Sequence, residues 1–266
     1  MSAAPKFTSQ LVGKRVVVIG GTSGIGFGVA QGLIEEGAEV IVSSSSQDRV
    51  NDAIARLNDP KQQHNADPSR VSGHAVNLRG PEAEASLKAL FQKVGKFDHL
   101  IFTAGDAPSK RLLKDHTFES ITEAGQVRFV SALLAIKTSV YGEYLKEGGS
   151  VVLTTGAVYQ YPVPEWTVVA GYAGGLVALV RSLAFELSGH NIRVNGVCPG
   201  PVKTEMMAGL PKEVLDGLGD TVLTGRPGLP LETAQSYVSL LKNPNINGTI
   251  IHDDGGSYAP KQARTT

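Results

Sequence analysis

The segment Gly20-Gly21-Thr22-Ser23-Gly24-Ile25-Gly26 carries the clearest chemical signal in the chain. Glycines let the backbone come close to a ligand, and the free N–H groups of such a turn bind anions, above all when a helix starts there and adds the positive end of its dipole. A tight strand-to-helix turn has the same composition, so the reading depends on the elements around it. A second group is Ser44, Ser45 and Ser46 with Arg49: neutral hydroxyl donors followed one turn later by a cation, suited to a phosphate or, more plainly, to a helix cap. A third is Glu165 beside Trp166, the only tryptophan, which joins a carboxylate to a flat apolar wall. A carboxylate at a helix start is also an ordinary partner of the dipole. The six histidines show no metal-ligand spacing, and Cys198 is the only cysteine, so neither a metal site nor an internal disulfide is expected, and a reducing compartment is the default.

The elements that must position these groups alternate along all 266 residues. Val16–Ile19 reads as a strand, Ile25–Glu36 as a helix closed by Gly37, and then Val40–Ser43, Val71–Val76 and His99–Thr103 as strands with helices Val50–Leu57 and Glu82–Val94 between them. A long helix is predicted over Phe118–Leu145, followed by strand Ser150–Thr155, helix Trp166–Leu187, strand Ile192–Cys198, helix Glu232–Leu241 and strand Thr249–His252. This pattern predicts one doubly wound α/β domain over residues 1–266, with a seven-stranded parallel sheet and helices on both faces. Asn58–Arg70 reads as a solvated loop and Ala259–Thr266 as a disordered tail, while Pro199–Arg226 follows a strand's C-terminal end, where open α/β sheets place ligands. Hydrophobic residues are 41% and Lys+Arg balances Asp+Glu at 25 each, which supplies a core and removes the electrostatic case for nucleic acid or an anionic membrane as partner. Met1–Gln10 has no apolar core of a signal peptide and no apolar run reaches membrane-spanning length, so a cytoplasmic protein acting on a small molecule is expected.

The spacing Gly20-x-x-x-Gly24-x-Gly26 resembles the fingerprint of the short-chain dehydrogenase/reductase family, with similarity from about Leu11 to Ser257. Thr103-Ala104-Gly105 looks like that family's Asn-Asn-Ala-Gly, Pro199-Gly200 follows the sixth strand, and Asp254-Gly255-Gly256 closes the last. The resemblance implies a Rossmann-type fold and a nicotinamide dinucleotide held by Gly20, Thr22, Ser23, Gly24, Ile25, Gly26, Thr103, Ala104, Gly105, Pro199, Gly200, Val202 and Thr204. Ser44 takes the place where an acidic residue would meet the adenosine ribose of NAD, so Ser44, Ser45, Ser46 and Arg49 favour NADP(H). Asn77-Leu78 stands where the family has Asp-Val beside the adenine, and an Asn carbonyl still accepts the adenine amino group.

The family's proton relay is a Tyr-x-x-x-Lys pair, a Ser thirteen residues before the Tyr, and an Asn on the preceding long helix. Counted back from Arg181-Ser182-Leu183, the Tyr and Lys positions hold Val169 and Ala173, the Ser position Gly156 and the Asn position Arg128. None of the seven tyrosines is followed four residues later by lysine, so the relay is absent rather than shifted. Tyr172, next to the vacant pair, reads as a packing residue.

Hydride delivery to a ketone builds an alkoxide that needs a proton, whereas delivery to an iminium gives a neutral amine. A site without Tyr and Lys therefore suits a cationic acceptor, with Glu165 stabilising the cation and Arg128 as a second catalytic candidate, either paired with Glu165 or held by another carboxylate. Trp166 and Met206 are candidate substrate contacts, Met206 and Met207 as an adaptable apolar lid. Pro164-Glu165-Trp166 is similar to the Pro-acid-Trp of a fungal subgroup, the reductase/Diels–Alderases of bicyclic indole alkaloid pathways. That resemblance implies iminium reduction in a prenylated indole–dipeptide intermediate and cyclisation in the same pocket, in a homodimer or homotetramer built through the two long helices. Two other readings remain: a carbonyl reductase with a relocated proton donor such as Glu165 or a water, and a non-catalytic NADP(H)-binding regulatory protein.

Overall fold

Val16–Ile19 is buried on every side, and that is why it reads as an unbroken apolar run rather than an alternating one. The computed structural model describes residues 7, 10–61, 67–107, 110–208 and 210–257. Seven strands form one all-parallel sheet: β1 (Arg15–Ile19), β2 (Glu39–Ser44), β3 (Val71–Ala75), β4 (Phe97–Phe102), β5 (Leu145–Thr154), β6 (Arg193–Pro199) and β7 (Ile250–Asp253). Their order is β3-β2-β1-β4-β5-β6-β7. The chain therefore reverses its direction of winding between β1 and β4, and a crevice opens at the C-terminal ends of those two strands.

Helices α1 (Gly24–Glu35), α2 (Gln47–Leu57) and α8 (Pro230–Lys242) cover one face, where Val16, Val18, Leu33, Val42 and the fully buried Tyr237 share a core. On the other face α3 (Ala83–Val94), α5 (Ala132–Tyr141) and α6 (Thr167–Glu186) bury Val17, Ile19, Phe91, Leu100, Leu153 and Leu176. Within α6, the residues Val169, Ala173, Leu176, Val180 and Leu183 recur at intervals of three and four and make its buried stripe. The stretch Thr167–His190 is long and apolar enough to cross a bilayer by length and composition, but it packs on β6 as a layer of the fold.

One expectation needs correction. The long helix predicted over Phe118–Leu145 is α4 (Phe118–Gly125), a π-helical turn (Gln126–Ser131) and α5, and it stops at Tyr141. A Cβ on Gly142 would lie 2.5 Å from the carbonyl oxygen of Thr138, and Glu143 then takes φ 59°, so the chain reverses and Leu145 already belongs to β5. The segment 199–226, which follows the C-terminal end of β6, contains a 3₁₀ turn (Glu205–Met207), the short helix α7 (Lys212–Gly217) and a further 3₁₀ turn (Leu218–Thr221). The other boundaries agree to within about three residues, except that β5 begins at Leu145, five residues before the expected Ser150. The expected disordered tail 259–266 and the middle of the expected loop, 62–66, lie outside the described residues.

Candidate active site

A cleft of about 590 Å³ runs along the crevice. Its floor is the turn from β1 into α1, where Gly20, Thr22, Ser23, Gly24, Ile25 and Gly26 all face it. A Cβ on Gly26 would stand 2.2 Å from the carbonyl oxygen of Gly20, so only glycine lets the helix start that close to the strand end. Gly24 opens α1 with φ 53°, a left-handed value that glycine adopts freely. The first turn of α1 contains no acidic residue, and the Ser23 side chain makes no capping bond, so the N–H donors of that turn are left to partners from outside the helix.

At one end the cleft is lined by Ser44, Ser45 and Arg49, where β2 passes into α2; its lining carboxylates, Asp106 and Glu205, lie on other segments. Ser46 stands at the cap position of α2 without a capping bond and is outside the lining, as is Pro199, which ends β6 and is buried. Asn77 and Leu78 follow β3 in the lining. The Oδ1 of Asn77 accepts from the Arg79 N–H at 3.0 Å, which leaves it one lone pair and both amide protons for a ligand. Thr103, Ala104 and Gly105 come from the end of β4, and the Thr103 hydroxyl donates to the Ile19 carbonyl at 3.1 Å, tying β4 to β1 beneath the cleft. Gly200, Val202, Thr204 and Met206 complete the expected set from the segment after β6.

Sequence reasoning missed Arg79, Asp106, Val127 and Glu205, all in the lining. Arg79 is bonded to the Asp106 carboxylate at 2.6 Å and lies 3.5 Å from Glu123. The one available signal was proximity in sequence, since Arg79, Asp106 and Glu205 directly follow Leu78, Gly105 and Thr204.

Arg128 sits in the π-helical turn, half-buried, with its guanidinium against Gly105 and donating to the backbone carbonyl of Asp106. Burial pushes its pKa down from the usual arginine value, and the nearby Asp106 charge only partly opposes this. No carboxylate pairs with it among the described residues. The expected Glu165–Arg128 pair does not form. Glu165 is exposed, takes φ 69°, outside the usual region for a side-chain-bearing residue, and offers its backbone carbonyl to the Arg111 N–H at 3.0 Å. Trp166, half-buried, precedes α6, and its buried indole N–H has no partner among the described residues; Arg128, Glu165 and Trp166 all stand outside the residues that line the cleft.

The vacant relay positions are apolar in space as well as in sequence. Val169 and Ala173 are 4% and 5% exposed, and a Cβ on Gly156 would find only Val158, at 4.0 Å. Tyr172 turns away from them: its hydroxyl donates to the Ile121 carbonyl at 3.1 Å, and its ring packs on Phe129 with centroids 5.6 Å apart. A Cβ on Gly125 would stand 2.2 Å from that ring, which fixes Tyr172 as an interhelical packing residue.

Comparison with known proteins agrees with this geometry. A family described as "SDR-like rossmann domain" matches residues 7–259. The chain is 37% identical to a short-chain dehydrogenase/reductase, fsr5, of Gibberella fujikuroi over 97% of its own length and 99% of the relative's. It is 34% identical to malC of Malbranchea aurantiaca, also a short-chain dehydrogenase/reductase, over 96% and 98%. The solved structure of the MalC reductase/Diels-Alderase from Malbranchea aurantiaca superposes with a TM-score of 0.85 at 33% identity, covering 94% of this chain and 98% of that one.

Proposed function

The chain belongs to the short-chain dehydrogenase/reductase family of oxidoreductases, and from that premise we propose that it is an NADPH-dependent reductase acting on an iminium or imine carbon of an apolar small molecule. The setting proposed is fungal secondary metabolism of the indole-alkaloid kind, with cyclisation of the reduced product in the same pocket, by analogy with the MalC reductase/Diels-Alderase. The observation that carries the reading is a glycine-floored cleft at the β1–β4 crevice in a chain whose relay positions hold Gly156, Val169 and Ala173. A ketone acceptor needs a proton as its oxygen gains charge. In an iminium acceptor the new C–H bond forms from the hydride, the C=N π pair becomes the nitrogen lone pair, and no proton is required.

The residues present fit a nicotinamide dinucleotide: the residues at the start of α1 line the cleft, and the close approaches at Gly20 and Gly26 leave room there only for backbone. When bound, that cofactor supplies the hydride. Ser44, Ser45 and Arg49 would hold a 2′-phosphate, the α1 N-terminus the pyrophosphate, and Asn77 and Leu78 the adenine. Glu165, exposed and without an ion-pair partner among the described residues, has its charge available to a cationic substrate, and Trp166 brings to the same loop an N–H unsatisfied among those residues. Met206, in the cleft lining, is the lid residue. The whole is proposed to be one cytoplasmic NADP(H)-binding domain over residues 1–266. A homodimer or homotetramer through the long helices is supported by Phe118, Tyr141 and Phe185, which are 79%, 57% and 85% exposed on α4, α5 and α6.

A second reading is favoured by one observation. Among the described residues the Arg128 guanidinium, which lies behind the cleft-lining Gly105 and Asp106, has no carboxylate partner, and such a cation stabilises a developing alkoxide better than it tolerates an iminium. Stopped-flow NADPH oxidation against panels of iminium ions and ketones separates the two. Binding of NADPH with turnover of neither panel would instead support a non-catalytic regulatory protein.

A further inference from the structure

The place where the cofactor's pyrophosphate would lie is already held by a carboxylate from this chain. The Gly24 N–H, first of α1, donates to Oε2 of Glu205 at 2.8 Å. A Cβ on Gly24 would meet the Thr204 methyl at 3.2 Å, so the segment carrying Glu205 is laid directly over the glycine turn. The contact answers a local need: α1 has no acidic residue in its first turn and no capping bond from Ser23, and Glu205 supplies both the acceptor and the negative charge from far along the chain.

The segment is anchored at its start. Val202 bridges to Gly228, the Lys203 N–H donates to the Gly228 carbonyl at 2.8 Å, and the Gly228 N–H donates to the Pro201 carbonyl at 2.9 Å. Beyond that anchor, Glu205–Met207 is a single 3₁₀ turn, Met206 is 54% exposed, and Glu205, Met206 and Met207 all line the cleft. A strap fixed at 201–203 and held at its far side by one exposed carboxylate can let go without unpacking any core.

We propose that Glu205 is a resident competitor for the phosphates, and that its exchange for a dinucleotide releases residues 204–208 from the glycine turn and so couples cofactor arrival to the position of the Met206–Met207 lid. The inference rests on the reading of the cleft as a dinucleotide site. Two anions cannot share the Gly24 donor at close range, so binding displaces the carboxylate, and the observed affinity is reduced by the fraction of protein whose strap is closed.

Glu205→Gln and Glu205→Ala test this without any turnover. By calorimetric titration both variants should bind NADP⁺ about three- to tenfold more tightly than the unmodified protein, while adenosine 2′-monophosphate, which has no pyrophosphate, should bind all three proteins alike. Hydrogen exchange should show the Gly24 amide protected in the free protein and exposed in Glu205→Ala. Unchanged or weakened NADP⁺ affinity in both variants, or an equal gain for the monophosphate, overturns the strap while leaving the cofactor reading intact. Failure of the unmodified protein to bind either compound overturns the cofactor reading and the strap together.

Discussion

Replacing Ser44 by Asp puts a carboxylate at the one end of the cleft whose lining contains none. Ser44 is half-buried where β2 ends, with the exposed Ser45 and Arg49 beside it. A 2′-phosphate bound there carries a charge of about −1.5 to −2 near neutral pH. At roughly 5 Å from a new carboxylate, in surroundings between bulk water and protein surface, the repulsion is on the order of 2 kcal/mol. Loss of the serine hydroxyl as a donor adds about 1 kcal/mol. Together these weaken NADPH by about two orders of magnitude, at about 1.4 kcal/mol for each factor of ten. NADH should gain, because the carboxylate accepts from the ribose hydroxyls that the phosphate no longer blocks. Fluorescence titration of NADPH and NADH should show NADPH much the tighter ligand of the unmodified protein and the order reversed in Ser44→Asp. Equal affinities in the unmodified protein, or an unchanged ratio in the variant, refute the assignment of this end of the cleft to the 2′-phosphate.

Restoring the relay with Val169→Tyr and Ala173→Lys should not raise kcat for the natural substrate, because both positions are buried and a new lysine charge repels a cationic acceptor; a rise would mean that an alkoxide forms. Glu165→Gln should bind NADPH normally yet lose on the order of 10²-fold in single-turnover hydride transfer, whereas a purely local role would leave turnover intact and change only the thermal midpoint. Stability should fall in acid through His99, whose buried ring, in contact with the Ser150 hydroxyl at 2.9 Å, is held down to about 4 mainly by desolvation. Between its ordinary value near 6.5 and that lowered value only the unfolded chain takes up the proton, so about 3 kcal/mol is lost as pH falls across that window. Urea titrations at both ends of the window, on this protein and on His99→Gln, should show the loss shrink in the variant.

The sheet was legible because parallel strands covered on both faces become β-branched runs such as Val16–Ile19, which no neighbouring helix imitates. The cleft was legible for a related reason: backbone makes it, and glycine is the residue that marks backbone approach. The helix predicted to reach Leu145 overshot because the apolar spacing continues through Tyr144, while the stop lies in the backbone, where Gly142 caps the helix on the Thr138 carbonyl and Glu143 takes a left-handed φ, neither of which has a periodicity. Its π-helical turn left no trace in the spacing either. Arg128 was legible as an oddity, but its partner was not, since the Asp106 carbonyl reaches it before any carboxylate does. Glu205 was missed outright, because its meeting with Gly24 joins positions 181 residues apart.

Reduction without a proton relay is decided by single-turnover NADPH oxidation with a matched cyclic iminium and ketone of the same skeleton. Hydride transfer to the iminium carbon should be rapid and transfer to the ketone at least about a hundredfold slower, the usual contribution of a positioned acid. Comparable rates for the two acceptors, or a faster ketone, would contradict it and place the alkoxide, with Arg128 beside it, at the centre of the chemistry.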